Sequence, residues 1–295
     1  MQLEIQRHLN DLIDGFPTLP GVVTRVMEIT ADAESSTEEL FNIILADQVM
    51  SANVLKMANS VFYGLPKRVD SLQHALSILG YVEIRNLVLT QAVFSSFKNL
   101  EKNDILDLRP FWIHSFSCAL AAKQVGGRCA ARNRDHYLPC LIHDIGKLLI
   151  YMALPEAYAG MVKSAGRVGY KIHELEARMF GITHAKAGQL LLAHWMLPDL
   201  VIHAVGNHHC PGAAGEYALD AWVVHAVDLL VHWSDLEDSG ETSRSREVLG
   251  ELLRPEVAAG LGAGSNWNAS ELAKMRAELA DQKERQADLL SLFLA

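Results

Sequence analysis

Helical patterning runs through nearly the whole chain, and this feature constrains the fold more than any other. Ala, Leu, Glu and Lys dominate, and strand-like alternation between turn residues is nearly absent. Thr183 is suited to cap a helix that begins at His184, and Asn268 to open the last helix. Pro198 suits the first turn of a helix that runs to about His208. The sequence therefore predicts an all-α protein.

The helical pattern divides into three segments. Residues 1–98 are predicted to form a compact bundle of short helices, and residues 99–235 a second helical bundle that contains most of the histidines. Residues 236–295 are predicted to be a C-terminal helical extension. Its last amphipathic helix is expected to fold back on the bundle, with dimerisation through that helix as the alternative. We thus expect two packed helical subdomains and an extension.

Composition and charge narrow the classes of function. The formal net charge of −9, without a long Lys/Arg run, argues against direct nucleic-acid binding. Neither a signal peptide nor an apolar run of about 20 residues is evident, so we expect a cytoplasmic protein that does not enter a membrane. The cysteines form no CxxC pair and are expected to be reduced thiols, mostly packing residues: Cys118, Cys129, Cys140 and Cys210.

The pair His143-Asp144 stands in the apolar segment LPCLIHDIGKLLI, which we interpret as one buried helix. An ionised Asp in such surroundings is costly unless a positive group pairs with it. A divalent cation is the obvious partner, and one carboxylate can bridge two cations. Lys147 follows one helical turn later and could neutralise charge or hold a substrate phosphate. The alternative is a His-Asp pair held by hydrogen bonds within the protein.

Other histidines, and one further acid, lie in apolar helical segments, where a buried polar side chain needs a partner. His208-His209 ends an apolar helix, where both rings could face one site, or could simply be exposed. His114 lies on an apolar helix and is either a ligand or a satisfied core residue. Asp228 is an acid inside the apolar helix WVVHAVDLLVHW.

Together these positions make a set of five imidazoles and two carboxylates: His114, His143, Asp144, His184, His208, His209 and Asp228. Nitrogen and oxygen ligands without sulfur suit Fe and Mn, which we favour, with Zn and Ni as alternatives. Seven ligands with one bridging carboxylate predict two divalent transition metals. His225 and His232 flank Asp228 and could support it. The other histidines are interpreted as surface, interhelix or background residues: His8, His74, His136, His173, His194 and His203.

The order H…HD…H…HH…D resembles the HD superfamily of metal-dependent phosphohydrolases. More closely, residues 16–233 resemble the HDOD domain of bacterial signalling proteins. The first half carries that pattern in FPTLPGVVTRVMEI and ILADQVMSANVLKMANSVFYG, and the second in FWIHSFSCALAA, LIHDIGKLLI and GITHAKAGQLLLAHWMLPDLVIHAVGNHH. The resemblance implies that the second subdomain is an HD-type helical bundle with a metal site.

The related HD-GYP enzymes, which cleave cyclic di-GMP, match all seven ligand positions. This similarity implies one ion at His114, His143 and Asp228, and a second at His184, His208 and His209, with Asp144 bridging them. It also implies that Lys147 lies near a substrate phosphate. The Gly-Tyr-Pro segment of those enzymes is replaced here by Cys210-Pro211-Gly212, which argues against cyclic di-GMP cleavage.

The resemblance favours a signalling or regulatory HDOD protein with a dinuclear metal site, whose partner is a signalling protein or a nucleotide-type small molecule. The alternative is a metal-dependent phosphohydrolase acting on a nucleotide or cyclic dinucleotide, with Asp144 and Lys147 as its catalytic residues. A purely structural metal site and oxygen chemistry at a di-iron centre are further alternatives. The oligomeric state is left open.

Overall fold

The computed structural model describes residues 2–17, 21, 24–26, 29, 37–60, 63–65, 67–97, 100, 107–131, 134–168 and 171–293. Every regular element in these ranges is a helix, which confirms the predicted all-α class. None of these helices combines the length and apolar character of a membrane span. The chain forms two compact units, one of Met1–Phe16 with Lys102–Ala280 and one of Pro17–Glu101 with Asp281–Ala295.

The helices follow one another along the chain in the order α1 (Gln2–Asp14), α2 (Thr37–Ala46), α3 (Gln48–Ala58), α4 (Leu72–Phe97), α5 (Arg109–Gly126), α6 (Tyr137–Ile142), α7 (Ile145–Ala153), α8 (Pro155–Val168), α9 (Ile172–Phe180), α10 (His184–His194), α11 (Asp199–Gly206), α12 (Ala218–Asp238), α13 (Thr242–Leu252), α14 (Pro255–Leu261) and α15 (Ala269–Phe293). Short 3₁₀ turns occupy Pro211–Tyr217 and Gly264–Asn266.

The two units divide the chain at other positions than the boundaries of the three predicted segments. Helix α1 belongs to the larger unit, where Leu9 and Ile13 are buried and the helix contacts α7, α9 and α10. Residues 236–280 also belong to the larger unit. An amphipathic helix packs its apolar face against another apolar surface of the protein. The position of the helix in the sequence does not by itself determine which surface that is.

The smaller unit contains α2, α3 and α4. Leu40, Ile44 and Val54 are buried in its interior. The side chain of Asn59 closes the loop after α3, because its amide nitrogen donates to the Val69 carbonyl and its oxygen accepts from the Val69 amide, both at 2.8 Å. Helix α4 is kinked at Gly80, whose φ of 81° is a backbone angle that favours glycine.

Helix α12 runs through the core of the larger unit. Its residues Val223, Val227 and Leu230 are fully buried, and it contacts α5, α11, α13 and α14. Leu272 and Met275 of α15 join the same apolar cluster. The expected folding back of the last helix is therefore confirmed for this part of α15. Burial on several sides fixes the orientation of α12, which carries Asp228.

The crossing of α7 and α10 depends on a glycine. A Cβ atom on Gly146 would lie 1.9 Å from the His184 carbonyl oxygen and 2.6 Å from the Gly188 amide nitrogen. No side chain fits in that gap, so the two backbones touch. The contact joins the starts of two helices that carry Asp144 and His184.

Candidate metal centre

His143 and Asp144 stand at a break between two helices. The predicted single buried helix is wrong: α6 ends at Ile142, α7 begins at Ile145, and the pair forms the caps between them. Both side chains are buried. Adjacent residues of a continuous helix would diverge by about 100°, whereas the break lets both side chains reach the same centre.

Helix ends also position the other histidines. Thr183 caps α10 by accepting a hydrogen bond from the Lys186 amide at 3.2 Å, as predicted, which puts His184 in the first turn. Helix α11 ends at Gly206, before the predicted limit at His208. His208 and His209 therefore lie in the following turn, with ring centroids 4.0 Å apart. The turn frees both rings from helical divergence.

The carboxylate of Asp144 faces imidazoles on both sides. Its Oδ1 atom lies 3.1 Å from His184 Nε2 and 3.9 Å from His208 Nε2. Its Oδ2 atom lies 3.4 Å from His143 Nε2 and 4.0 Å from His114 Nε2. Each oxygen thus faces a different group of histidines, which is the arrangement that a bridging carboxylate needs.

Two groups of donor atoms flank Asp144. In one, His114, Cys118, His143 and Asp228 offer atoms within 4.8 Å of one another. In the other, His184, His208 and His209 do the same. The structure therefore brings all seven sequence-predicted ligand positions together.

Cys118 joins the first group although sequence reasoning treated it as a packing residue. Its Sγ atom lies 3.5 Å from His114 Nε2. The two residues are four positions apart on α5, and this spacing was the available signal.

The ring orientation of two histidines leaves a lone pair directed into the centre. His143 Nδ1 donates to the Cys140 carbonyl at 2.9 Å, and His208 Nδ1 donates to the Val205 carbonyl at 2.7 Å. A carbonyl oxygen only accepts, so each neutral ring carries its proton on Nδ1 and a lone pair on Nε2. His143 Nε2 is buried and has no hydrogen-bond partner among the described residues. A metal ion would satisfy this atom.

Glu176 orients a third histidine, and sequence reasoning missed it. This fully buried carboxylate accepts from the His184 backbone amide at 2.7 Å and from His184 Nδ1 at 2.6 Å. The Tyr158 hydroxyl donates to its other oxygen at 3.0 Å. A carboxylate behind a ligating histidine fixes the ring and increases its basicity. No local spacing marks Glu176, because the fold supplies its partners.

The charges of the centre keep both acids ionised. Burial alone would raise the pKa of Asp144, but His143, Lys147 and His184 hold that pKa well below its usual range. Burial is likewise outweighed at Asp228, whose pKa is held well below its usual range by the hydrogen bond with His114 and by the neighbouring imidazole of His143. Two ionised carboxylates in a buried site call for cations.

The histidines differ in the proton that they carry. Burial lowers the pKa of His184, but Glu176 and Asp144 outweigh it and raise that pKa to about 9. Burial and the neighbouring imidazoles His143 and His184 lower the pKa of His208 well below its usual value. Neutral rings are the form that binds metal. The donor set, which combines imidazoles with ionised carboxylates, fits a divalent transition metal.

A cleft of about 430 Å³ opens onto both donor groups. His114 and Asp228 of one group line it, as do His184 and His209 of the other, together with Lys147. The Lys147 ammonium lies 2.5 Å from Asp144 Oδ2. Burial would lower the pKa of Lys147, but the Asp144 charge outweighs it and raises that pKa, so a positive charge stands beside the centre.

Three histidines outside the predicted ligand set also line the cleft: His173, His225 and His232. His173, interpreted from sequence as a surface or interhelix residue, instead lines the cleft and stacks on His209 with ring centroids 3.9 Å apart. His225 Nδ1 donates to the His208 carbonyl at 2.8 Å. The ring stacking and the hydrogen bond both stabilise the turn that carries His208 and His209.

His136, treated from sequence as background, is buried away from this centre, where its Nε2 lies 2.9 Å from Asp220 Oδ1.

A helical bundle with this order of histidines and aspartates is that of an HD-superfamily protein. The model of the HDOD domain matches residues 16–211, and the chain belongs to the HDOD domain family. Asp228 lies beyond the matched residues, on α12.

Solved structures share this fold at low sequence identity. An HDOD domain protein of unknown function from Geobacter sulfurreducens has a TM-score of 0.77 at 22% identity, covering 100% of this chain and 99% of its own. A candidate phosphohydrolase from Shewanella amazonensis SB2B has a TM-score of 0.72 at 22% identity, covering 98% of each chain. A candidate signal transduction protein from Marinobacter aquaeolei VT8 has a TM-score of 0.78 at 20% identity, covering 100% of this chain and 66% of its own.

A curated relative, an uncharacterized protein of Treponema pallidum (strain Nichols), is 24% identical over 212 residues. The match covers 70% of this chain and 40% of the relative, so it spans about two fifths of the relative's length.

Proposed function

We propose that this HDOD protein binds two divalent transition metals and uses the centre to bind and hydrolyse a phosphate ester. One ion would be held by His114, His143 and Asp228, and the other by His184, His208 and His209, with Asp144 bridging them: these are the imidazole and carboxylate donors of the two groups and the carboxylate between them. The observation that carries the hydrolytic proposal is the cleft of about 430 Å³, which opens onto side chains of both groups. A hydrolytic centre needs such access, whereas a structural site is closed.

The chemistry divides between the ions and the protein. Bound ions would supply an activated water and charge neutralisation for its attack on phosphorus. Lys147 would attract the phosphate into the cleft, because its raised pKa keeps it charged there. Water adds to phosphorus, the ester oxygen leaves, and a proton from the water ends on the released alcohol. Glu176 would hold His184 in the ligating orientation throughout.

A regulatory role is the second candidate, in which the same centre binds a phosphate ester as a signal without turning it over. The family and the fold shared with a candidate signal transduction protein favour it. A nucleotide-type small molecule or a signalling protein would then be the partner. The open cleft argues against a purely structural metal site, which needs no access to solvent.

A direct comparison of turnover and binding tests these roles. The full chain would be loaded with Mn²⁺ or Fe²⁺ and given nitrophenyl phosphate esters, nucleotides and cyclic dinucleotides. His208→Ala should abolish turnover, whereas His203→Ala, which removes an imidazole stacked on Tyr217 away from the cleft, should retain it. Phosphate-ester binding without turnover would support the regulator, and absence of both would refute the two roles.

A further inference from the structure

A second cavity, here called the Tyr151 cavity, adjoins the cleft. Its volume is about 220 Å³, and its walls are mainly apolar: Leu108, Phe111, Leu148, Tyr151, Val162 and Ile172. His114 and Lys147 line both this cavity and the cleft, and Asp144 also lines the Tyr151 cavity. An occupant of this cavity would therefore extend directly from the metal centre.

The wall of the Tyr151 cavity contains a buried hydroxyl group that belongs to Tyr151. Tyr151 is 1% exposed, and its hydroxyl has no hydrogen-bond partner among the described residues. Buried tyrosine hydroxyls usually find a partner. Tyr158 in the same wall does so, since its hydroxyl donates to Glu176 at 3.0 Å. A buried hydroxyl without a partner among the described residues therefore belongs to a residue of the cavity wall.

The size and chemistry of the cavity narrow the occupant. Ligand pockets that enclose a drug-sized molecule have volumes of about 300–1,000 Å³, so this cavity fits a single ring or a short alkyl chain. A nucleobase carries several polar groups on its edges, and most of them would lose water here without gaining a partner.

We propose that the Tyr151 cavity binds the apolar organic group, aryl or short alkyl, of a phosphate ester whose phosphate lies at the metal centre. The phosphate half of this inference rests on the function proposed above. The cavity would then select among phosphate esters by their alcohol part, and a nucleoside would be excluded from this subsite.

Two phosphonates that differ only by a ring test the inference without turnover. Their binding to the metal-loaded full chain would be measured by titration calorimetry, with methylphosphonate as the reference and phenylphosphonate as the probe. Burial of one ring is expected to make phenylphosphonate bind about 10- to 100-fold more tightly. Equal affinities would overturn the cavity assignment and leave phosphate binding intact.

Variants on α8 locate the ring. Val162→Phe should fill the cavity and remove the preference for phenylphosphonate, while methylphosphonate binding stays unchanged. Val162→Leu adds less volume and should reduce the preference partly, which covers the case in which Val162→Phe does not fold. Gly160→Ala is the matched control on the same helix, because its Cβ would meet nothing within 4 Å. A ring preference that Val162→Phe leaves intact would refute the proposal.

Measuring phenol binding distinguishes an error in the cavity assignment from an error in the proposed function. If neither phosphonate binds, the proposed function is wrong, and phenol titrated into metal-free protein then decides the cavity alone. Phenol binding that Val162→Phe abolishes would support the cavity. Absence of phenol binding in the wild-type chain would overturn it.

Discussion

Replacing Gly146 by Ala should separate the two halves of the metal centre. The new Cβ would lie 1.9 Å from the His184 carbonyl oxygen and 2.6 Å from the Gly188 amide nitrogen. Favourable contacts between such atoms need about 3.5 Å, so the starts of α7 and α10 must move apart by about 1.5 Å. Backbone atoms cannot rotate away, and the cost should reach the upper end of overpacking, about 3 kcal/mol.

The displacement acts directly on the ligands. Asp144 Oδ1 and His184 Nε2 are 3.1 Å apart across this crossing. Metal–ligand distances tolerate deviations of only about 0.2 Å, so a shift several times larger should weaken metal binding by about 100-fold or more. Urea unfolding of the metal-free protein measures the stability loss, and calorimetric titration with Mn²⁺ measures the affinity.

Gly160→Ala is the matched control for this experiment. It makes the same substitution in α8, where the added Cβ meets nothing within 4 Å. We expect it to raise the free energy of unfolding by about 0.5–1 kcal/mol through helix propensity, with metal affinity unchanged. If Gly146→Ala keeps wild-type stability and metal affinity, the reasoning from the helix crossing is refuted.

Three further perturbations have expected outcomes. Glu176→Gln should lower metal affinity by about 10- to 100-fold in calorimetric titration, because it weakens the hold on His184; unchanged affinity would contradict this. Asp220→Ala should lower the free energy of unfolding in urea by about 3 kcal/mol, because it removes the buried carboxylate that pairs with Arg134 and forms a hydrogen bond with buried His136, and a loss below about 1 kcal/mol would contradict it. At pH 8, iodoacetamide should label Cys210, which is exposed, while burial raises the pKa of Cys118 to about 11 and keeps it a thiol until the pH approaches that value. Labelling would be measured by mass spectrometry. Labelled Cys118 in the folded protein at pH 8 would refute the buried environment of this thiol.

Local signals in the sequence predicted what depends on local chemistry. Helix content follows from propensity and periodicity, and the Thr183 cap follows from side-chain oxygen placement. The last helix begins after Asn268, whose Oδ1 accepts from the Ser270 and Glu271 amides at 3.0 and 3.1 Å. Each of these features needs only neighbours within a few residues.

Features that depend on packing were not predictable in the same way. Apolar residues continue through His143-Asp144, so periodicity indicated one helix where the chain breaks into two. Glu176 acquires its role from His184 and Tyr158, which other helices bring to it. Helix α1 likewise belongs to the larger unit because the surface that buries its apolar residues Leu9 and Ile13 lies there.

Metal analysis of the full chain tests whether the centre holds two ions bridged by Asp144. The chain would be reconstituted anaerobically with Fe²⁺ or Mn²⁺, freed of excess metal and measured by elemental analysis. The donor groups on either side of Asp144 lead us to expect two ions per wild-type chain. His203→Ala should also hold two, and Asp144→Ala should hold one or none. A wild-type chain that holds one ion or fewer under these conditions, or an Asp144→Ala chain that still holds two, would contradict a bridged pair of ions.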